Sequence, residues 1–234
     1  GYRRVQRYLG RRGIRIGERR LRGVMEKYGL WAEIKRAWVK TTDSDHPFTA
    51  YPNLLPERRV DGVNQVWTAD ITYIRIENGF VYLAVILDLF SRKVIGYSIS
   101  KRIDGRLALN ALRMALRARK PPRGGIHRSD RGVQYLCNKY LRLLERLGVP
   151  LSNSAKGNPY DNAWTESFMK TIKQEEVYLA SYNTYLDVVE NLPRFIDEVY
   201  NAKRIHSSIG YLTPNELEER IQSQPDTASQ FALT

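Results

Sequence analysis

The sequence has almost no cysteine and no long hydrophobic run. Cys137 is the single cysteine in 234 residues, so neither an intrachain disulfide nor a cysteine-rich zinc site can form. The longest apolar run, Val81 to Leu87, is too short to span a bilayer, and the first residues show no secretory signal pattern. No internal repeat is visible. We therefore expect a cytoplasmic protein with no membrane partner.

Negative charge is also scarce and unevenly placed. The chain has 38 Lys and Arg against 25 Asp and Glu, a formal net charge of +13. Residues 1–40 hold 13 basic and 3 acidic residues, whereas residues 179–234 hold 4 basic and 8 acidic ones. With 42% apolar residues the chain can build a core. A basic head on such a chain indicates a polyanionic partner, most often nucleic acid; a solubility surface or a ribosome-associated protein is the alternative.

Residues 1–40 are predicted to be a basic helical segment. One helix face would carry the apolar residues Leu21, Val24, Met25 and Tyr28. The remaining surface would carry the basic residues Arg19, Arg20, Arg22 and Lys27. The pattern is equally compatible with a DNA-binding helix-turn-helix and with a solvated helical hairpin. Residues 41–63, which contain three prolines and no periodicity, are predicted to be a linker.

Residues 64–178 read as a mixed α/β layer fold of order β-β-β-α-β-α-β-α. The predicted strands span 67–76, 80–87, 93–100, 125–130 and 150–154, with a hairpin at Asn78-Gly79. The predicted helices span 104–119, a segment that ends at Gly148, and about 161–177. In the helical extension 179–234 we expect a helix over 182–200 kinked at Pro193, a capping box between Thr213 and Glu216, and ten frayed terminal residues.

Three acidic residues lie in unusual local settings. Asp70 and Asp130 occupy strand-like positions, and Glu166 lies on a helix. Carboxylates from separate elements can together hold two divalent cations, which is the usual machinery for phosphoryl transfer on nucleic acid. Because every ligand is oxygen, Mg²⁺ or Mn²⁺ is the natural choice.

Each acid also has an ordinary explanation. Asp130 could cap the following turn, Glu166 could be a solvated helix residue, and Asp88, which ends a hydrophobic strand, competes with Asp70. Asp70 is the least ordinary, because aspartate is disfavoured within strands. Spacing alone does not choose between Asp70 and Asp88.

Further polar residues surround these acids. Glu166, Lys170 and Lys173 share one helix face with Asn162, which predicts phosphate contacts beside the metal; a simple i, i+4 ion pair is the alternative. A lone histidine such as His127 is more often structural. Tyr200, Asn201, Arg204 and His206 form a polar cluster with no role that follows from physics.

Four long runs resemble the integrase-type (Asp-Asp-Glu) transposases of bacterial insertion sequences. They are similar to the downstream reading-frame product of the family named after insertion sequence three, and the resemblance covers about residues 2–217. The runs are W-T-A-D-I-T-Y at 67–73, H-R-S-D-R-G-V-Q-Y at 127–135, N-P-Y-D-N-A-W-T-E-S-F-M-K-T-I-K at 158–173 and Y-N-A-K-R-I-H-S-S-I-G-Y-L-T-P at 200–214.

The resemblance implies a ribonuclease H-like core, a mixed five-stranded sheet flanked by helices, with a basic N-terminal helical segment and a C-terminal helical tail. It assigns Asp70, Asp130 and Glu166 as the catalytic, metal-holding triad, demotes Asp88, and implies that Lys173 contacts the DNA end. The implied reaction is metal-dependent cleavage at element ends and joining of a 3′ hydroxyl to target DNA. Arg128 departs from the family, which frequently has His there.

The resemblance also implies partners. The partners are DNA, further copies of the chain assembled on DNA, and the upstream reading-frame product, which is either a separate protein or fused to this chain. The implied location is the bacterial cytoplasm, with the nucleoid. Two rival functions stay open: another nuclease on the same fold, such as a ribonuclease H or junction resolvase, and a non-catalytic DNA-binding relic.

Overall fold

A computed structural model describes residues 1–30, 51–55, 59–121, 124–130, 132–153 and 163–233. Its centre is a five-stranded sheet of order β3-β2-β1-β4-β5. The strands are β1 (Val66–Ile76), β2 (Gly79–Asp88), β3 (Val94–Ser100), β4 (Ile126–Ser129) and β5 (Leu151–Asn153). The first three form an antiparallel meander, and β4 and β5 continue it in parallel from β1. All five predicted strands and the hairpin at Asn78-Gly79 are confirmed.

Helices cover both faces of the sheet. The α-helices of the described residues are α1 (Tyr2–Arg11), α2 (Glu18–Lys27), α3 (Gly105–Ala118), α4 (Asn138–Leu147), α5 (Ala163–Ile172), α6 (Tyr178–Ala180), α7 (Tyr185–Arg194) and α8 (Pro214–Ser223). One apolar cluster joins one sheet face to α3 and α4, and a second joins the opposite face to α5 and α7. A third cluster joins the start of β1 to Val60, α8 and the C-terminal residues.

Two glycines shape the α3–α4 layer. Gly96 of β3 lies so close to α3 that an added Cβ would stand 2.7 Å from the backbone nitrogen of Ala115. Gly148 ends α4 with a φ of 65°, the left-handed conformation that glycine adopts at little cost. The predicted end of this helix at Gly148 is confirmed.

The helix after β5 departs from a regular α-helix. Its predicted start near Asp161 lies outside the described residues. After α5 the hydrogen bonding widens to a π-helical segment, Lys173–Val177, before α6. Such segments often occur at functional sites.

The tail contains three further departures. The predicted helix 182–200 begins later, at Tyr185, because Thr184 and Asp187 form a capping box that the sequence reading missed. Pro193 lies inside α7, which is followed by a π-helical segment, Phe195–Asn201. The prediction of a frayed terminus is wrong: Pro225–Phe231 is a 3₁₀-helix, and Leu233 pairs with Val60 in both directions. Apolar packing of Phe231 and Leu233 on the third cluster orders this segment.

Of the basic N-terminal segment, residues 1–30 form a helical hairpin, and residues 31–40 lie outside the described residues. Leu21 and Met25 are buried as predicted, but Val24 and Tyr28 are exposed, because α2 packs only a narrow strip against α1. The capping box of Thr213 and Glu216 at the start of α8 is confirmed. No helix within the described ranges is long and apolar enough to cross a membrane.

Candidate active site

Asp70 is a charged residue in the middle of the central strand. It lies opposite Val85 of β2, and its strand β1 is flanked by β2 and β4. The side chain is partly exposed, and its Oδ1 accepts the N–H of Ile71 at 2.8 Å. Alternate strand residues share a face, and Ile74 packs in the cluster that contains α5. Asp70 therefore faces the layer that holds α5.

Asp130 follows directly after the neighbouring strand. The parallel pairing of β1 with β4 ends at Ala69 and Ser129, so the register places Asp130 beside Asp70. Its Oδ1 accepts the N–H of Gly132 at 3.0 Å, which is the turn-capping contact that the sequence allowed. The Asn153 amide donates to the Asp130 carbonyl oxygen at 3.0 Å and ties this strand end to β5. Turn capping and proximity to Asp70 thus coexist in one residue.

Glu166 lies in the first turn of α5, and its side chain is exposed. The helix is held on the sheet by buried side chains such as Phe168 and Ile172. Glu166 and Lys170, both described, form no ion pair with each other, so the simple i, i+4 pair is not the explanation of this Glu. Within the described parts of the chain, no three His, Cys, Asp or Glu side chains stand close enough to hold one ion in this conformation.

The three acids nevertheless interact through their charges. Burial, followed by the negative charge of Asp130 and, more weakly, that of Glu166, raises the pKa of Asp70 to about 7. The hydrogen bond from Ile71 and the positive charge of Lys173 oppose this rise. Asp70 therefore lies at a place where burial and two negative charges together outweigh one hydrogen bond and one positive charge.

Lys173 lies at the same place. Its Nζ is 4.4 Å from the centre of the Tyr73 ring. Burial lowers the pKa of Lys173, while the nearby Asp70 carboxylate acts in the opposite direction. Lys173 is half-buried, whereas Lys170, one turn earlier, is exposed. Asn162 lies outside the described residues.

Tyr135 is a neighbour of the acids that the sequence reading missed. It is 2% exposed, and its hydroxyl has no hydrogen-bond partner in the described part of the chain. Burial and the charges of Asp130 and Asp70 raise its pKa well above the usual value. The only signal in the sequence is its place at the end of the H-R-S-D-R-G-V-Q-Y run, five residues after Asp130.

Comparisons with family models and with related proteins agree on one protein family. Integrase core domain models match residues 61–159 and 147–214. A 31 kDa protein of insertion element IS600 from Shigella sonnei is 38% identical over 94% of this chain and 81% of its own length. The transposase of IS904 from Lactococcus lactis is 35% identical over 92% of this chain and 86% of its own. Transposase InsF of IS3A from Escherichia coli is 39% identical over 84% of this chain and 68% of its own length.

The chain belongs to the IS3-type transposases. Its family activity is DNA transposition, catalysed by a polynucleotidyl transferase. Solved structures support the fold: one chain of a simian T-cell lymphotropic virus intasome matches with a TM-score of 0.56 and 19% identity over 74% of this chain and 60% of its own. The BIV integrase catalytic core matches with a TM-score of 0.51 and 18% identity, over 69% of this chain and 99% of its own length. The predicted ribonuclease H-like fold is confirmed.

Two polar residues of the transposase are structural. His127 is fully buried, and its Nε2 lies 2.6 Å from the Tyr140 hydroxyl. Burial lowers the pKa of His127 to about 3, so the ring is neutral. Asp88 accepts the backbone N–H groups of Phe90 and Ser91, each at 3.0 Å, and so holds the turn after β2.

The arginines of the N-terminal hairpin divide into two groups. Arg19 and Arg20 are exposed, and Arg22 pairs with Glu18 at 2.8 Å within α2. Two arginines of α1 instead reach other elements: Arg4 pairs with Glu175 of the π-helical segment at 3.0 Å, and Arg11 pairs with Glu216 of α8. The hairpin is therefore docked on the core and on the tail through α1.

The polar cluster after α7 has a structural role in this docking. Arg204 donates to both carboxylate oxygens of Glu175, at 2.9 and 3.0 Å, and to the Thr171 hydroxyl at 3.3 Å. Glu175 thus joins Arg204 to Arg4 of α1. Because Glu175 belongs to the same π-helical segment as Lys173, the cluster also ties the hairpin to the element that carries Lys173.

Proposed function

We propose that the transposase cleaves DNA at the ends of its element and joins the freed 3′ hydroxyl to a target phosphodiester, with Asp70, Asp130 and Glu166 as the catalytic triad. The observation that carries the assignment is the register of β1 and β4, which sets Asp130 beside Asp70 on the sheet face that α5 covers. The raised pKa of Asp70, which comes from burial and then from the charges of the two other acids, supports it. The charges of Asp130 and Glu166 both oppose the ionisation of Asp70, and a bound cation would offset them.

The same residues fit a pair of divalent cations. All donors are carboxylate oxygens, which suit Mg²⁺ or Mn²⁺. The catalytic core of HTLV-2 integrase, a structure described as a complex with magnesium, matches this chain with a TM-score of 0.50 and 19% identity over 66% of it and 96% of its own length. When bound, two ions stabilise the attacking and leaving oxygens of an in-line displacement. Ion binding requires Glu166 to approach the aspartates more closely.

The remaining residues act on the DNA. Lys173, half-buried beside Asp70, is positioned to bind a phosphate next to the scissile bond. Lys170, exposed one turn earlier, and Asn162 would extend this contact along the strand. Arg19, Arg20 and Arg22 would bind phosphates farther from the reaction, because α2 leaves them exposed.

Assembly follows from the reaction, since joining two ends to one target needs more than one active site. We propose a homo-oligomer on DNA, in the bacterial cytoplasm with the nucleoid, and a partnership with the upstream reading-frame product. One structural relative is described as an intasome and another as a dimeric form, which supports the oligomer.

The proposal is tested by a joining assay. The transposase is incubated with Mg²⁺, a linear DNA that carries the ends of its element, and a supercoiled target plasmid. We expect joined products from the wild type, no cleavage or joining by Asp130→Asn with DNA affinity retained, and wild-type activity from Asp226→Asn, a remote exposed control. Hydrolysis without joining would favour a nuclease on the same fold, DNA binding without cleavage would favour a relic, and an active Asp130→Asn would remove the triad.

A further inference from the structure

A basic groove lies between α3 and α4, on the sheet face opposite α5. Its volume is about 470 Å³. Leu109, Leu116 and Leu143 supply its apolar lining. Its cations are Arg113, Arg117, Lys139, Arg142 and Arg146. All five side chains are exposed, and α3 contains no acidic residue.

These cations are distinguished by standing together in one groove. Elsewhere some cations, among them Arg4, Arg11 and Lys93, pair with an acid, whereas others, such as Arg19 and Arg20, are exposed and scattered. The five groove cations form no ion pair with any residue in the described ranges. Arg113 and Arg117 stand four residues apart on α3, and Arg142 and Arg146 stand four residues apart on α4. Like charges at this spacing mildly destabilise a helix. Folding does not explain this concentration of charge, whereas an anionic partner does.

We infer that the α3–α4 groove binds the phosphate backbone of double-stranded DNA without sequence preference, as a second DNA surface separate from the triad. The inference rests on DNA as the substrate of the family and not on the assignment of the catalytic acids. Arginine and lysine contacts to phosphates position a duplex but do not read its sequence. Such a surface suits target DNA, for which backbone contacts suffice.

The dimensions of the groove fit one strand of a duplex. Lys139, Arg142 and Arg146 follow one another along about 10 Å of α4, a distance over which one DNA strand presents about three phosphates. Arg113 and Arg117 form a parallel row on α3. The two helices begin side by side. Gly105, at the start of α3, lies so close to Cys137, just before α4, that an added Cβ on Gly105 would meet it. The groove therefore starts near the sheet end that carries Asp130.

The test measures DNA binding in EDTA, so that failure of the triad cannot affect it. Wild type is compared with Arg113→Gln/Arg117→Gln, with Arg142→Gln/Arg146→Gln and with the quadruple variant, on a random-sequence duplex and on an end-bearing duplex. Lys203→Gln/Arg220→Gln, two exposed cations of the tail, is the matched control. Asp130→Asn is included, and we expect it to bind as wild type does.

We expect each double variant to reduce the slope of log K against log salt by about two on the random duplex, because each lost phosphate contact removes about 0.9. The quadruple variant should lose at least tenfold in affinity at 0.1 M salt, with an unchanged melting temperature. Unchanged slopes on the random duplex, or an equal loss in the control, would overturn the inference. A change in oligomeric mass with DNA binding intact would also overturn it, and would assign the groove to an acidic surface of a second copy.

Discussion

Replacing Asp70 by asparagine should stabilise the transposase in the absence of metal. The pKa of Asp70 rises from 3.8 to about 7, so its ionisation in the folded protein is resisted. Three pKa units correspond to about 4 kcal/mol. Because the side chain is partly exposed, we expect a smaller gain of about 1–3 kcal/mol for Asp70→Asn at pH 8, or roughly 2–10 °C in melting temperature.

The sign follows from proton linkage. The folded state holds a proton on Asp70 between pH 4 and 7, where the unfolded state has lost it, so the free energy of unfolding of the wild type falls as pH rises through this window. The advantage of Asp70→Asn should therefore be full above pH 7 and disappear below pH 4. Added Mg²⁺ should stabilise the wild type, by about 2.7 kcal/mol at a hundred times its dissociation constant, and the variant much less.

The assay is urea unfolding in EDTA at pH 4, 6 and 8, with Asp88→Asn as the control. Asp88 is fully buried, and its pKa is raised to about 6, first by burial. Its carboxylate accepts backbone N–H groups and lies 3.7 Å from Arg119, so its replacement should destabilise the protein. Equal or lower stability of Asp70→Asn at pH 8 would refute the argument that the folded protein resists the ionisation of Asp70.

Three further predictions concern the scaffold. Burial lowers the pKa of His127 to about 3, so stability should fall as pH drops from 6.5 towards 3, and His127→Asn should remove about 1.4 kcal/mol per pH unit from that slope in urea titrations. Gly96→Ala would press a methyl group against the α3 backbone at Ala115 and should cost about 1–3 kcal/mol in the same assay. Arg204→Gln removes one of the two arginines that pair with Glu175, so it loosens the link from Glu175 to Arg4 and should speed amide hydrogen exchange in α1 at least several-fold, while exchange in β2 stays unchanged.

The sequence predicted the sheet because its signals are local. Runs of β-branched and aromatic residues mark the strands, and Asn78-Gly79 marks the hairpin. Asp70 and Asp88 are distinguished by their three-dimensional environments. Asp70 lies near two further acids, whereas Asp88 caps a turn. Neither environment is visible in residue spacing.

Long-range contacts account for most of what the sequence did not predict. Arg4 meets Glu175 across 171 positions of the chain, and no local pattern marks that pair. Tyr135 gains its place beside the acids from the packing of the turn after β4. The π-helical segment at Lys173 also escaped detection, because α- and π-helices share the same propensities and differ only in how the surrounding packing sets their hydrogen bonds.

Metal binding measured directly is the most decisive test of the acidic triad. Isothermal titration of the DNA-free transposase with Mn²⁺ at pH 8 should show binding that Asp70→Asn, Asp130→Asn and Glu166→Gln each weaken at least tenfold, whereas Asp226→Asn does not. Equal Mn²⁺ affinity in the wild type and all three triad variants would show that these carboxylates do not hold the ions, and the account of the active site would be wrong.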